Sequence, residues 1–126
     1  MFDCYRESIY IQVKKDCFHL RNCKTNREHL EMSDLPFSTE RLAVGDFYAA
    51  DKALRNGLSE ILSKTMFKLP PIIIVHQRYL CEGGLSNVEE RVLFELSHST
   101  RVHKVVVWQG RELSKEDIVN KVYETS

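Results

Sequence analysis

Leu69-Pro70-Pro71-Ile72-Ile73-Ile74-Val75 combines a helix stop with a strand in seven residues and fixes the layout on either side of it. The two prolines end any helix that precedes them, because neither has a backbone N–H to donate and each ring crowds the preceding turn. The four β-branched residues that follow read as a strand covered on both faces, the kind that parallel sheets place inside. Toward the N-terminus, Ala50, Leu54, Leu58, Ile61 and Leu62 recur three and four apart, which predicts a helix from Phe47 to Met66 in spite of Gly57. Asp46 stands where an N-cap carboxylate accepts the first free backbone N–H groups. Toward the C-terminus, the turn Glu82-Gly83-Gly84 leads into Ser86-Asn87-Val88-Glu89, a capping box that opens a second helix running to about Ser97. Val102 to Trp108, with Val105-Val106-Val107, is another buried-strand run. After the turn at Gln109-Gly110, Ser114-Lys115-Glu116-Asp117 opens a final helix carrying Ile118, Val119 and Val122, and 124–126 reads as a frayed tail.

The N-terminal part follows a period of two instead. Ile9, Ile11 and Val13 alternate on one face of Ser8 to Val13, Lys14-Lys15-Asp16 can turn tightly, and Phe18 and Leu20 resume the alternation from Cys17 to Arg21. A third strand is expected from Arg27 to Met32, and most of 33–46, with Ser33, Asp34, Pro36, Ser38, Thr39 and Gly45, reads as loop. The order is βββαβαβα. A hairpin-led antiparallel trio followed by two strands that need helical crossovers gives an α/β fold: a mixed five-stranded sheet with helices on its faces and Ile72–Val75 at its centre.

The chain has 126 residues, the size of one domain spanning 1–126, and a 43% hydrophobic and 29% charged composition that suits a folded, water-soluble protein. Eighteen basic residues balance eighteen acidic ones, so the chain lacks the global positive field with which nucleic-acid binders meet phosphate. The apolar run Leu69 to Val75 falls well short of the roughly 20 residues needed to cross a bilayer. The first residues, Met1-Phe2-Asp3-Cys4-Tyr5-Arg6-Glu7, place acids where an export signal has a basic region, so a cytoplasmic location is expected. In that setting Cys4, Cys17, Cys23 and Cys81 read as reduced thiols.

Some residues invite a chemical assignment. Cys17, His19, Cys23 and His29 are zinc-ligand types, but Cys17 and Cys23 lack the spacing of a Cys-x2-4-Cys knuckle. On a strand, Cys17, His19 and Cys23 share a face spread over about 20 Å. Cys81 with His76 or His98 is a candidate nucleophile pair, set against the plainer reading of Cys81 as a small loop residue beside Gly83-Gly84. Residues 10 to 27 hold five basic residues against Asp16, whereas 28 to 51 hold six acidic residues against Arg41. That asymmetry either orients a partner or is ordinary solvated surface. Lys14 and Lys15 in the hairpin turn, and Trp108 and Gln109 after the last strand, are the candidate interaction residues. Trp108 is an aromatic anchor for a partner or a cap on the core beneath the last helix. The outer edge of the hairpin sheet can also add another chain.

The order of elements and three stretches resemble subdomain IA of the actin, sugar kinase and chaperone ATPase superfamily, an RNase H-like unit, and in particular its bacterial MreB (rod shape-determining) branch. Gly45-Asp46-Phe47-Tyr48-Ala49-Ala50-Asp51-Lys52-Ala53-Leu54 resembles the MreB segment that carries Asp-Phe and then an acidic residue, Lys and Leu at the head of a helix. Pro71-Ile72-Ile73-Ile74-Val75 and Val88-Glu89-Glu90-Arg91 are similar to its strand and its Val-Glu-Arg helix. Val102-His103-Lys104-Val105-Val106-Val107-Trp108 stands where the family has a Val/Leu-rich strand. The resemblance covers about residues 7 to 112.

The departures are as informative. The family's first phosphate loop is an Asp-Leu-Gly-Thr turn, whose glycine admits phosphate and whose aspartate helps hold the metal; here Gln12-Val13-Lys14-Lys15 stand in those positions. The family's last strand here ends in an acidic pair and proline, where this chain has Trp108-Gln109-Gly110. The loop after the third strand is too short for subdomain IB, and the chain has no room for the second large domain that carries the other phosphate loop and the adenosine pocket. The resemblance therefore implies a truncated actin-like module with no catalytic, cofactor-binding or metal-binding residues. It would act by contact with a protein partner, either a full-length actin-like filament protein or a second copy of itself, in processes related to cell shape. The alternatives are a small enzyme on an RNase H-like sheet, for which Gln12 replaces the first metal-holding acid, and an α/β binding module unrelated to cell shape.

Overall fold

The computed structural model describes residues 6–64 and 69–124. The elements run β1 (Ser8–Lys14), β2 (Cys17–Asn22), β3 (Arg27–Met32), α1 (Phe47–Ile61), β4 (Ile72–Gln77), α2 (Asn87–Ser97), β5 (Lys104–Trp108) and α3 (Lys115–Val119), with a 3-10 turn at Val122–Glu124. They form one mixed sheet in the order β3-β2-β1-β4-β5, antiparallel among β1, β2 and β3 and parallel from β1 through β4 to β5. This is the α/β architecture expected from the sequence. The middle position belongs to β1; β4 lies beside it, with every residue buried, and β5 is a half-buried edge strand in spite of its run of valines. A β-branched run is read the same way whether a strand has neighbours on both sides or one, because side-chain period carries no information about lateral pairing.

Alternation sorts the two faces. Ile9, Ile11 and Val13 of β1, with Phe18 and Leu20 opposite them on β2, pack under α1 and α2 against Leu54, Leu58, Ile61, Leu93 and Leu96. Tyr10, Ile74 and Cys23 face the other way and meet Leu113, Ile118 and Tyr123 from the C-terminal segment. Gly57 sits where α1 crosses β2 and β3 most closely: a Cβ there would stand 3.0 Å from Leu20 Cδ1 and 3.2 Å from Glu31 Cβ. The glycine that weakens α1 as an isolated helix is what lets it lie on the sheet.

Two helices end earlier than the periodicity predicts. α1 stops at Ile61, and Leu62 is already extended at φ −75°, ψ 143°. The cause is Glu7, buried just before β1, whose carboxylate accepts from Ser63 N at 3.1 Å, from the Ser63 hydroxyl and from Asn22 Nδ2 at 2.7 Å. Asn22 also donates to the Ile61 carbonyl at 3.1 Å, so the helix end is tied to β1 and β2 by side chains distant in sequence. The remainder of the predicted helix, 65–66, lies outside the described residues. α3 stops at Val119: Lys121 takes φ 55°, and Val122, expected in the helix, belongs to the 3-10 turn. The predicted capping box forms at Ser86 with Glu89, the start read at Ser114 is a second one closed by Asp117, and Asp46 caps Ala49 N.

Candidate functional site

In open α/β sheets the crevice outside the carboxyl ends of parallel strands, where the strand order reverses, is the common place for a site. Here β1 is that switch strand, with β2 antiparallel on one side and β4 parallel on the other. The carboxyl ends of β1, β4 and β5 bring Lys14, Gln77 and Trp108-Gln109 to one end of the sheet. A cleft of about 280 Å³ opens there between the loops after β4 and β5, bordered by His76, Gln77, Cys81, Leu85 and Gln109.

Behind His76, which borders this cleft, lies a buried hydrogen-bonded network. Tyr10 Oη lies 2.6 Å from His76 Nδ1 and accepts from Leu113 N at 3.1 Å, and His76 is also hydrogen-bonded to the Gly110 backbone. Burial, with a smaller push from the Arg78 guanidinium, lowers the His76 pKa to about 4 against the bond to Gly110, so the imidazole is neutral at physiological pH. With Tyr10 Oη already accepting from Leu113 N, its own proton is free to go to Nδ1 of the neutral ring. Burial raises the Tyr10 hydroxyl pKa, so it too is un-ionised. Three segments far apart in sequence are thereby joined: β1, β4 and the loop entering α3. Arg21 adds a bond from its guanidinium to the Leu113 carbonyl at 3.3 Å.

The sequence-derived candidates are distributed around this end. Lys14 and Lys15 are both exposed. The turn they occupy is closed: Lys14 pairs with Cys17, Asp16 adopts φ 56°, and Asp16 Oδ1 accepts from Phe37 N at 2.9 Å and Ser38 N at 2.7 Å. Trp108 is half-buried against the second core, and its indole Nε1 donates to the Arg111 carbonyl at 2.8 Å, as the cap reading expects. Gly110 makes this possible, since it holds φ 138° with the Trp108 ring 3.3 Å from where a Cβ would be. Gln109 is exposed yet engaged: its carbonyl accepts from Leu85 N at 2.9 Å and its amide reaches Glu90 at 3.4 Å.

The thiols and imidazoles do not assemble. Cys17, His19 and Cys23 share one face, and His29, opposite Leu20, faces α1. His19 is hydrogen-bonded to Gln12 at 3.2 Å and paired with Glu28 at 2.9 Å, while His29 pairs with Glu31 at 2.8 Å. Among the described residues no group of three or more His, Cys, Asp or Glu is placed to hold a metal ion. Cys17, Cys23 and Cys81 are free thiols; Cys4 lies outside the described residues. Burial pushes the Cys23 thiol up to about 11, which keeps it protonated and unreactive. Cys81 and His76 border the same cleft, one of the two candidate pairings, and Nδ1 of that imidazole is already bonded to Tyr10. His98 caps α2 with its ring 4.4 Å from Phe94.

A second cleft, of about 310 Å³, opens at the opposite end of the sheet between Ser8, Cys23, Ile72 and Ile118. No described helix is long and apolar enough to cross a membrane. Neither the Tyr10–His76–Leu113 network nor the Glu7–Asn22–Ser63 network is visible in the sequence, where the only trace is a polar or polar-tipped residue inside or beside an apolar run.

No family model matches the chain, and no solved structure matches it. It is similar to the "Uncharacterized protein YjaA" of Escherichia coli (strain K12), with 32% identity over 93 residues, which make up 70% of this chain and 72% of that protein. A likeness of that extent establishes kinship, and the chain belongs to the same family as YjaA.

Proposed function

We propose that the protein is a non-catalytic, actin-like module of RNase H-like fold that acts by binding another protein in the cytoplasm. The strand order β3-β2-β1-β4-β5, with its antiparallel trio and parallel pair, supports the fold. The observation that carries the function is the closed turn between β1 and β2. Where the resembled ATPases present a glycine turn to phosphate, this chain folds Lys15-Asp16 back so that the Asp16 carboxylate is occupied by the backbone N–H groups of Phe37 and Ser38. A carboxylate so held is turned toward the loop before α1 and away from any phosphate or metal at the strand end. The other strand end that the family uses, Trp108-Gln109-Gly110, is taken up by packing on the second core and by holding the loop before α2. The partner that the resemblance favours is a filament protein of the MreB type.

Two measurements test this reading. Amide chemical shifts should stay unchanged when Mg-ATP or ADP is added to about millimolar concentration, well above the dissociation constants of working nucleotide sites. Saturable shifts clustered over Gln12 to Asp16 would overturn the non-catalytic assignment. Co-sedimentation with purified MreB-type filaments should deplete the protein from the supernatant; its absence would remove the filament partner.

A further inference from the structure

We propose that two copies of this chain join edge to edge, β3 antiparallel to β3 of the second copy, with Leu30 on the twofold axis. The proposal rests on the interaction-module reading above and names a partner for it. Among the described residues β3 is a terminal strand of the sheet. The backbone at its free edge can be assigned from the hairpin. Ser33 N donates to Asp16 O at 3.1 Å, and the unbroken register from Cys17↔Met32 to Asn22↔Arg27 continues that pair. Hydrogen-bonded and non-bonded pairs alternate along an antiparallel ladder, so Arg27, His29 and Glu31 bond to β2. Glu28, Leu30 and Met32 therefore aim their N–H and C=O groups outward. The strand has no proline, lysine or bulge, and the charges it carries, Arg27, Glu28 and Glu31, constrain which pairing its edge accepts. On the face that α1 leaves uncovered, Leu30 is 53% exposed and Met32 59% exposed.

Charge and apolar matching favour one register among the axes from Glu28 to Glu31. A twofold axis at Glu28 or at Glu31 would set glutamate against glutamate, which is destabilising for directly opposed residues. An axis at His29 would face each exposed Leu30 with a Glu28. An axis at Leu30 brings the two leucines together and sets Glu28 opposite Met32. It also sets His29 opposite Glu31 twice, extending the His29–Glu31 pair of each chain across the junction. In that register the Leu30–Leu30 and Glu28–Met32 pairs are all hydrogen-bonded pairs, because those residues present their backbone outward. A self-complementary strand of this kind generates the isologous interface of a closed dimer.

Sedimentation velocity over roughly 5 to 500 μM protein tests the proposal, since a short edge pairing is expected in the weaker part of the affinity range. The full chain should show a reversible dimer. Leu30→Lys and Leu30→Glu should each weaken it at least tenfold, because like charges then meet on the axis. Mixing the two variants in equal amounts should restore association, because the introduced lysine of one chain then faces the introduced glutamate of the other. Met32→Lys should tighten the dimer severalfold by facing Glu28, and it keeps the test open should the Leu30 variants lose their circular-dichroism signature. A wild type that is monomeric throughout, a dimer indifferent to both Leu30 changes, or folded Leu30 variants that fail to rescue each other would overturn the proposal. A monomer that also shows no nucleotide shifts defeats only self-pairing, whereas nucleotide shifts defeat the interaction-module reading at any oligomeric state.

Discussion

The two faces of the sheet are built by different physics. Under α1 and α2 the contacts are mainly apolar, with Ile9, Ile11, Phe18, Leu20, Leu54, Leu93 and Leu96 almost wholly buried, and the Glu7–Asn22–Ser63 group adds polar bonding at the end of α1. Under the C-terminal segment a smaller apolar set, Ile74, Leu113, Ile118 and Tyr123, is held in place by the Tyr10–His76–Leu113 hydrogen bonds and by Arg21. α3 is only five residues long, so its own packing is slight and direction has to come from polar contacts. Burial is insensitive to protonation whereas a network containing an imidazole is not, and the faces should therefore respond to different perturbations.

The largest expected effect is on the apolar face. Phe18 is fully buried and stacked on Phe37 with ring centroids 4.9 Å apart, so Phe18→Ala should cost about 3 to 5 kcal/mol in urea unfolding monitored by far-ultraviolet circular dichroism. The loss should be the same at pH 5 and pH 7.5, and a strongly pH-dependent loss would break the contrast. Next comes acid. The folded chain holds His76 at about 4 while an unfolded histidine titrates near 6.5. Above pH 6.5 both states are neutral there and stability is full. Between 6.5 and about 4 the unfolded state binds a proton that the folded state refuses, so about 3 kcal/mol is lost as pH falls. Repeating the urea titration across that range on wild type and His76→Phe should show the acid-sensitive limb only in the wild type; an equal limb in both would place its origin elsewhere. The smallest effect concerns the hydroxyl alone. Tyr10→Phe leaves the ring and removes the partner of His76 Nδ1 and Leu113 N, at a cost of about 1 to 3 kcal/mol. Amide hydrogen exchange should locate the loosening at Leu113 to Ile118 and leave α1 and α2 unchanged.

The elements were legible in the sequence wherever their cause is local. The capping boxes at Ser86 and Ser114, the Asp46 cap and the alternation of Ile9, Ile11 and Val13 all lie within a few residues of what they specify. What was not legible depends on distant partners. Glu7 ends α1 by taking the Ser63 amide, and Tyr10 meets His76 across the sheet, and neither pairing leaves a mark in periodicity. The lateral order of strands is hidden for the same reason, which is why the run Ile72–Val75 was expected at the centre and lies one place from it. Of the candidate residues, Lys14 and Lys15 were recognisable as surface. The anchoring of Trp108 and Gln109 came into view only with Arg111, Leu85 and Glu90 beside them.

The middle place of β1 has a consequence for the order in which the molecule can be made. β2 and β3 follow it at once and can zip onto one side as soon as they leave the ribosome, but its other side waits for β4, with Ser8 paired to Ile72 and Val13 to Gln77. Until then the nascent hairpin carries two open margins, at β3 and at β1, and closing the second requires a long loop to be drawn in. Residues up to Gln77 must therefore emerge before the sheet is sealed at its most apolar strand, and this interval is when the growing chain is most exposed to misassociation or to capture by a chaperone.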